Sequence, residues 1–181
     1  MKTRDVVIFT GKKFKVPQGI QRIDHRATHG WQLRYGGTKL FSDGSQDGTG
    51  AAASLKAATD ELLKRIAKLP APSRLQRNPS ENKTTDLPVG ISGPIVRQRP
   101  GSRVRECNLS VSLPRFGMVP RRSTIYIGNE NTYTVQRFEE ALAKAIKLRE
   151  QAETAYRRDA TRAKRADAQV LIDKRSRQRA A

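Results

Sequence analysis

Cysteine is almost missing from this 181-residue sequence: Cys107 stands alone, which rules out an internal disulfide and any zinc site built from several thiolates. Histidine is nearly as scarce. His25 and His29 are the only two, so a Ser-His-Asp triad would have to draw on one short segment, and Cys107 has no histidine near it in sequence. A histidine pair four apart suits a metal on a helix, but Gly30 and the strand-like residues after it argue against a helix there. No GxxxxGK[ST] phosphate loop occurs. These gaps predict a protein that is not an enzyme and that holds neither metal nor cofactor. No apolar run approaches the ~20 residues of a membrane span and no signal-peptide core follows Met1, which predicts a cytoplasmic protein without a membrane partner. Aromatic residues make up 6% and hydrophobic residues 36%, so any core is small; two modules of roughly 50 residues suit this better than one large fold.

Acidic residues are also in short supply. Lys and Arg total 36 against 17 Asp and Glu, a net charge of +19. Such a surplus repels itself in a compact chain and points to a polyanionic partner. DNA, ribosomal RNA and an anionic membrane would all attract it. The charge is spread out: residues 1–70 carry 13 basic and 6 acidic groups, 89–150 carry 11 and 5, and 151–181 carry 9 and 4. A neutral enzyme with one basic tail would look different.

Residues 1–18 hold a short apolar run, Val6 to Phe9, then a basic stretch ending at Pro17, and predict an extra edge strand or an ordered arm. A first module spans 19–69. Gly19 to Asp24 reads as a strand, His25 to His29 as a polar loop, and Gly30 to Tyr35 as a strand alternating apolar and polar residues. Gly36-Gly37 supplies the positive φ angles of a tight hairpin, and Thr38 to Ser42 runs back. Beyond Asp43 the period changes to 3.6: Leu55, Ala58, Thr59, Leu62 and Ile66 share a helical face, ended by Pro70 and Pro72. Residues 70–88 lack periodicity and read as a linker. Over 89–150 the plan repeats: Val89-Gly90-Ile91 echoes Gln18-Gly19-Ile20, Cys107 to Leu113 alternates as a strand, Pro114 to Arg121 reads as a long loop, and Ser123 to Gly128 as the next strand. A helix follows, capped by Thr132 or Thr134, with Phe138, Leu142, Ala145, Ile146 and Arg149 on one face. Residues 151–181 predict a helical extension that frays into a basic tail. The fold expected is therefore α+β, two tandem modules of a three-stranded antiparallel sheet backed by one helix, plus that tail.

These residues carry a resemblance. Gly19-Ile20, Gly30-Trp31-Gln32-Leu33-Arg34 and Phe41-Ser42-Asp43, followed by an alanine-rich helix, resemble bacterial tandem relatives of the plant ethylene-response-factor (Apetala-two type) DNA-binding domain. Ile125-Tyr126-Ile127-Gly128 with Phe138-Glu139-Glu140-Ala141 is similar to that family's third strand and helix start, and Asn82-Lys83-Thr84-Thr85 with Gly90-Ile91 to the junction of its tandem members. The resemblance covers about residues 17–150. It implies sheets whose open faces enter the major groove of duplex DNA, in a transcriptional or mobile-element regulator located on the bacterial nucleoid. Related domains ride on homing endonucleases or integrases, but this chain has no histidine-asparagine-histidine nuclease core and no room for a recombinase domain. Its first hairpin is shorter than the family's, and its first strand lacks the dense arginines of plant members.

Strand period gives an independent estimate of the binding face. With Trp31, Leu33 and Tyr35 turned to the helix, Gln32 and Arg34 face out. A hairpin turning at Gly36-Gly37 would pair Leu33 with Leu40, Arg34 with Lys39, and Gln32 with Phe41. Gln32, Arg34, Lys39 and Phe41 would then form one outward patch, whose two opposed cations ask for an anion. Arg22 is ambiguous, because Ile20 and Ile23 cannot both face inward on a regular strand; Arg26 lies in the following loop. In the second module Leu109, Val111, Ile125 and Ile127 point inward, and Asn108, Ser110, Ser112, Thr124 and Tyr126 point out. Tyr126 would fall where Phe41 falls, and the resemblance implies an aromatic there that lies on the DNA backbone. Small residues such as Ser110 and Ser112 let a sheet approach base edges. Arg97, Arg99, Arg103, Arg105, Arg115, Arg121 and Arg122 flank the sheet, most of them suited to phosphates. Alternatives stay open: an RNA- or ribosome-associated protein, for which the arginine-rich tail from Arg157 to Arg179 would serve equally, a nucleoid protein without sequence preference, or a partner of RNA polymerase. The sequence does not address oligomeric state.

Overall fold

The structure, a computed structural model, describes residues 1–98 and 100–180. Over the described residues the architecture is α+β, with three antiparallel sheets of two, three and three strands and two helices, one of them C-terminal. Contacts divide the chain into two compact units, Met1–Pro72 with the segment from Thr161 onward, and Ser73–Ala160.

In the first unit, β1 (Thr3–Val7) and β2 (Lys13–Pro17) form a hairpin of their own. The expected arm is thus a second small sheet: Phe14 and Trp31 pack edge to face with ring centroids 5.7 Å apart, and Val16 is fully buried. Strands β3 (Ile20–His25), β4 (Thr28–Arg34) and β5 (Thr38–Ser42) follow in simple meander order. The loop expected over His25–His29 is shorter than that, a tight turn at Arg26-Ala27 with Arg26 at φ 49°. Helix α1 (Ala51–Lys68) lays Ala51, Ala58, Leu62 and Ile66 on Ile20, Trp31 and Leu33. Each such large side chain, fully buried, contributes about 1.5–3 kcal/mol. Two glycines permit close approaches that a side chain would block. A Cβ on Gly30 would lie 2.4 Å from the Phe41 carbonyl oxygen, and one on Gly50 1.7 Å from that of Asp43.

The β4–β5 register differs by one residue from the expected one. Trp31 lies opposite Phe41, Gln32 opposite Leu40, Leu33 opposite Lys39, and Arg34 opposite Thr38, so the loop has three residues, not two. The reason is a tertiary contact. Arg65 of α1 donates from Nη1 to the carbonyls of Tyr35 and Gly37, at 2.9 and 3.0 Å, and holds the turn in its wider form. A one-residue slip moves every side chain of the strand to the other face.

In the second unit, β6 (Ile91–Gln98), β7 (Arg105–Arg115) and β8 (Met118–Asn129) form the third sheet, again in meander order. The segment expected as a loop, 114–121, is mostly strand: β7 and β8 run on to a tight turn at Phe116-Gly117. Helix α2 (Val135–Ala180) starts at Thr134, whose Oγ1 accepts from the Arg137 amide at 3.2 Å, so Thr134 and not Thr132 is the cap. Its Phe138, Ala141, Leu142, Ala145 and Ile146 cover Ile91, Leu109, Val111 and Ile127. Arg149 donates to the Ser112 carbonyl and pairs with Glu153 at 2.8 Å.

The tail does not fray where it was expected to; it is helical through Ala180. Within the first unit its later part is tied down. Ala168 joins the core, Arg165 donates to the Ile66 carbonyl at 3.4 Å, and Arg175 pairs with Asp60 at 2.8 Å. Sequence period misses this, because small alanines and single arginines carry the contacts.

Candidate nucleic-acid interface

On the third sheet the face away from α2 gathers Ser92, Arg97, Asn108, Ser110, Ser112, Arg122, Thr124 and Tyr126. Cross-strand pairs set this face: Ser110 lies opposite Ser92 on one side and Thr124 on the other, Ser112 opposite Arg122, and Asn108 opposite Tyr126. Tyr126 is 50% exposed, and Arg122 and Thr124 are exposed. The inner parity is filled by Leu109, Val111 and Ile127, all buried. No acidic residue occurs between Glu106 and Glu130, so this ribbon carries Arg115, Arg121 and Arg122 against no negative charge of its own. Glu106 stands opposite Arg97 at the far end of the face.

Several arginines expected to flank this face do other things. Arg105 pairs with Glu130. Arg115 folds across the hairpin and donates from Nε and Nη2 to the Val119 carbonyl, at 3.0 and 2.9 Å. Arg121 lies opposite Leu113, on the other parity from Arg122. Arg103 is exposed in the turn before β7, and Arg99 falls outside the described residues. Among the described residues of the set, Arg97 and Arg122 are thus the arginines that sit on the open face.

On the sheet of the first unit the open face carries Gln21, Gln32, Arg34, Thr38 and Leu40. Arg34 is exposed, and its Nε donates to Gln32 Oε1 at 2.5 Å, which aligns two hydrogen-bonding side chains. The one-residue register difference removes Phe41 and Lys39 from this face. Phe41 packs toward the core beside Trp31, and Lys39 sits over its ring, Nζ 5.1 Å from the centroid. Leu40, 43% exposed, takes the outward place. Phe41 and Tyr126 therefore do not correspond, and the expected pair of opposed cations, Arg34 and Lys39, does not form. Arg26 remains exposed in the β3–β4 turn.

Arg22 does not belong to the face either. It lies opposite Trp31, on the helix side, with its side chain only 6% exposed. Nη2 reaches Asp43 Oδ2 at 2.6 Å and Asp24 Oδ1 at 2.8 Å, and the guanidinium sits 5.0 Å from the Trp31 ring centroid. Asp43 in turn accepts from Ser54 Oγ at 2.6 Å, and Asp24 shares a hydrogen bond with His29 at 2.9 Å. Burial works against the charged form of Asp24, but the hydrogen bonds from Arg22 and His29 outweigh it and hold the carboxyl below its ordinary range. The parity conflict in β3 is resolved without a bulge: Ile20 faces in, Ile23 faces out, and Arg22 shares the inner side.

Sequence reasoning missed one neighbourhood. A cleft of about 420 Å³ beside β3 is lined by Lys2, Arg4, Gln18, Gln21 and Arg34, among others. Arg4 crosses it to the Ile20 carbonyl, 3.3 Å from Nη2. The N-terminal hairpin thereby brings two further cations beside Arg34. Their run in sequence, Lys2-Thr3-Arg4, was visible; their place beside β3 was not. Among the described residues no group of His, Cys, Asp and Glu is arranged to hold a metal, and no helix is long and apolar enough to cross a membrane.

Comparison with known proteins adds no family. No family model, curated protein or solved structure matches this chain.

Proposed function

We propose that this protein binds duplex DNA through the open faces of its two three-stranded sheets, which act as tandem modules, and that it works as a regulator rather than as an enzyme. The observation that carries this reading is the part of the third sheet's open face beyond Glu106, where no acidic residue stands, Ser110, Ser112 and Thr124 leave room for a close approach, and Arg122 and Tyr126 stand exposed beside them. Small hydroxyl side chains can reach base edges that bulkier residues would hold off, and an arginine can fork onto guanine or phosphate. Arg34 with Gln32, next to Lys2 and Arg4, supports an equivalent but smaller surface in the first unit. The net charge of +19 adds sequence-independent attraction.

Duplex DNA is favoured over RNA because the A-form major groove is too deep and narrow for a sheet. The tail arginines favour RNA less than composition suggests, since Arg158 pairs with Asp159 and Arg175 with Asp60.

The test is fluorescence anisotropy with duplex DNA, duplex RNA and ribosomes as competitors. Arg34→Ala and Arg122→Ala should each weaken duplex DNA binding by ~1–3 kcal/mol if the contact is to a base. Unchanged affinity in both variants, or RNA competing better than DNA, would remove the proposal.

A further inference from the structure

The β7–β8 hairpin outruns its sheet. Strand β6 pairs with β7 as far as Ile91 opposite Val111, so beyond Ser112 and Arg122 the ribbon is two-stranded, and it ends in an apolar tip. Met118 is 66% and Val119 78% exposed, the two barest large hydrophobic side chains of the second unit apart from Val135. The tip is nevertheless built firmly. Arg115 donates twice to the Val119 carbonyl, and Phe116 packs edge-on against Tyr156 with centroids 5.7 Å apart. A register shift between Leu113 and Arg115 marks a bulge at this point, a feature that re-aims side chains at the end of a ribbon. Met118 and Val119 thus form an apolar spot at the end of a ribbon that is otherwise polar and cationic.

We propose that this tip is a wedge for duplex DNA: Met118 and Val119 insert between adjacent base pairs and kink the helix. The inference rests on the DNA-binding reading and goes beyond it, from contact to deformation. Apolar side chains used in this way unstack a base step and bend the duplex by about 20–90°. The surroundings select DNA over other occupants. Arg121 and Arg122 follow the tip directly, no acidic residue lies within the ribbon, and Ser112, Ser123 and Thr124 stand behind it, polar where acyl chains would need apolar contact. Two side chains are also a weak membrane anchor, given that even one myristoyl chain binds only marginally.

The experiment compares the whole protein with the M118S/V119S variant on two 30-base-pair duplexes rich in TA steps, one intact and one nicked at its centre, with donor and acceptor dyes at the ends. TA steps unstack easily, and a nick removes most of the stacking cost. The substituted residues are exposed, and the circular dichroism spectrum and thermal unfolding of the whole protein verify that the variant is folded. The expected result is that the wild type bends both duplexes and prefers the nicked one by about tenfold. M118S/V119S should still bind with residual affinity, with the bend and the preference both lost. Equal bending by the two proteins, or no bending by a wild type that binds, would overturn the wedge and leave DNA binding intact. No binding of either duplex by the wild type at low salt would instead defeat the DNA reading itself. Vesicles of anionic phospholipid and sedimentation complete the series. Vesicle binding or self-association abolished by M118S/V119S, with DNA bending unaffected, would assign the tip to a membrane or to a second copy and overturn the proposal.

Discussion

Replacing Arg22 separates a structural arginine from a binding one. Its side chain is only 6% exposed, its Nη2 is shared by Asp43 and Asp24, and the Asp43 side chain is 0% exposed. In Arg22→Leu the Asp43 carboxylate would keep one partner, the Ser54 hydroxyl at 2.6 Å, and lose its only neutralising cation at that distance. Removing one member of a buried ion pair costs about 3–5 kcal/mol, and the remaining hydroxyl places the loss toward the lower end. For a unit of this size, about 1 kcal/mol moves Tm by 4–8 °C, so Tm should fall by at least about 12 °C. Trp31 is the one tryptophan of the chain and is fully buried against Arg22, so its fluorescence during denaturant unfolding reports this unit directly. Removing both charges, in R22L/D43L, should recover much of the loss, because no buried carboxylate is then left without its cation. The acid limb gives a second readout. The Asp24 carboxyl is lowered in the folded state, so its contribution is fully present above its unfolded value, about 3.9, and is lost as pH falls through the lower folded value. Arg22→Leu should therefore flatten the decline in stability below about pH 4. An Arg22→Leu protein that unfolds at the wild-type denaturant concentration yet binds DNA more weakly would refute the buried role.

Three further outcomes follow from the packing. Gly50→Ala should fail to fold, because the added methyl would sit 1.7 Å from the Asp43 carbonyl oxygen, and circular dichroism with loss of Trp31 burial would show it; a native spectrum would mean that the β5–α1 connection can shift. Thr134→Ala should cost the second unit about 0.5–2 kcal/mol through loss of the α2 cap, read as a lower denaturation midpoint. Cys107 is 8% exposed and burial pushes its thiol up, so a thiol reagent at neutral pH should label it slowly in the native protein and rapidly in denaturant; equal rates would contradict its burial.

Local pattern was enough for much of this protein. The alternation from Cys107 to Leu113 determined which side chains of β7 face the core, because a strand has only two faces and the apolar residues take one. The 3.6 period of Leu55 to Ile66 determined the buried face of α1 in the same way, and the prolines after it determined its end. The net charge of +19 and its spread were likewise fixed by composition. Tertiary contacts decided what pattern leaves degenerate. Gly36-Gly37 allows a two- or a three-residue loop, and Arg65, 28 residues along the chain from Gly37, selects the longer one and so sends Phe41 inward and Leu40 outward. Arg22 has the composition of a binding residue, yet two aspartates and an indole ring, assembled only by folding, bury it. The ribbon to Phe116 looks like a loop because Pro114, Gly117 and Pro120 interrupt its pattern; pairing between its two arms makes it a hairpin, since a cross-strand partner stabilises residues that propensity alone would leave irregular.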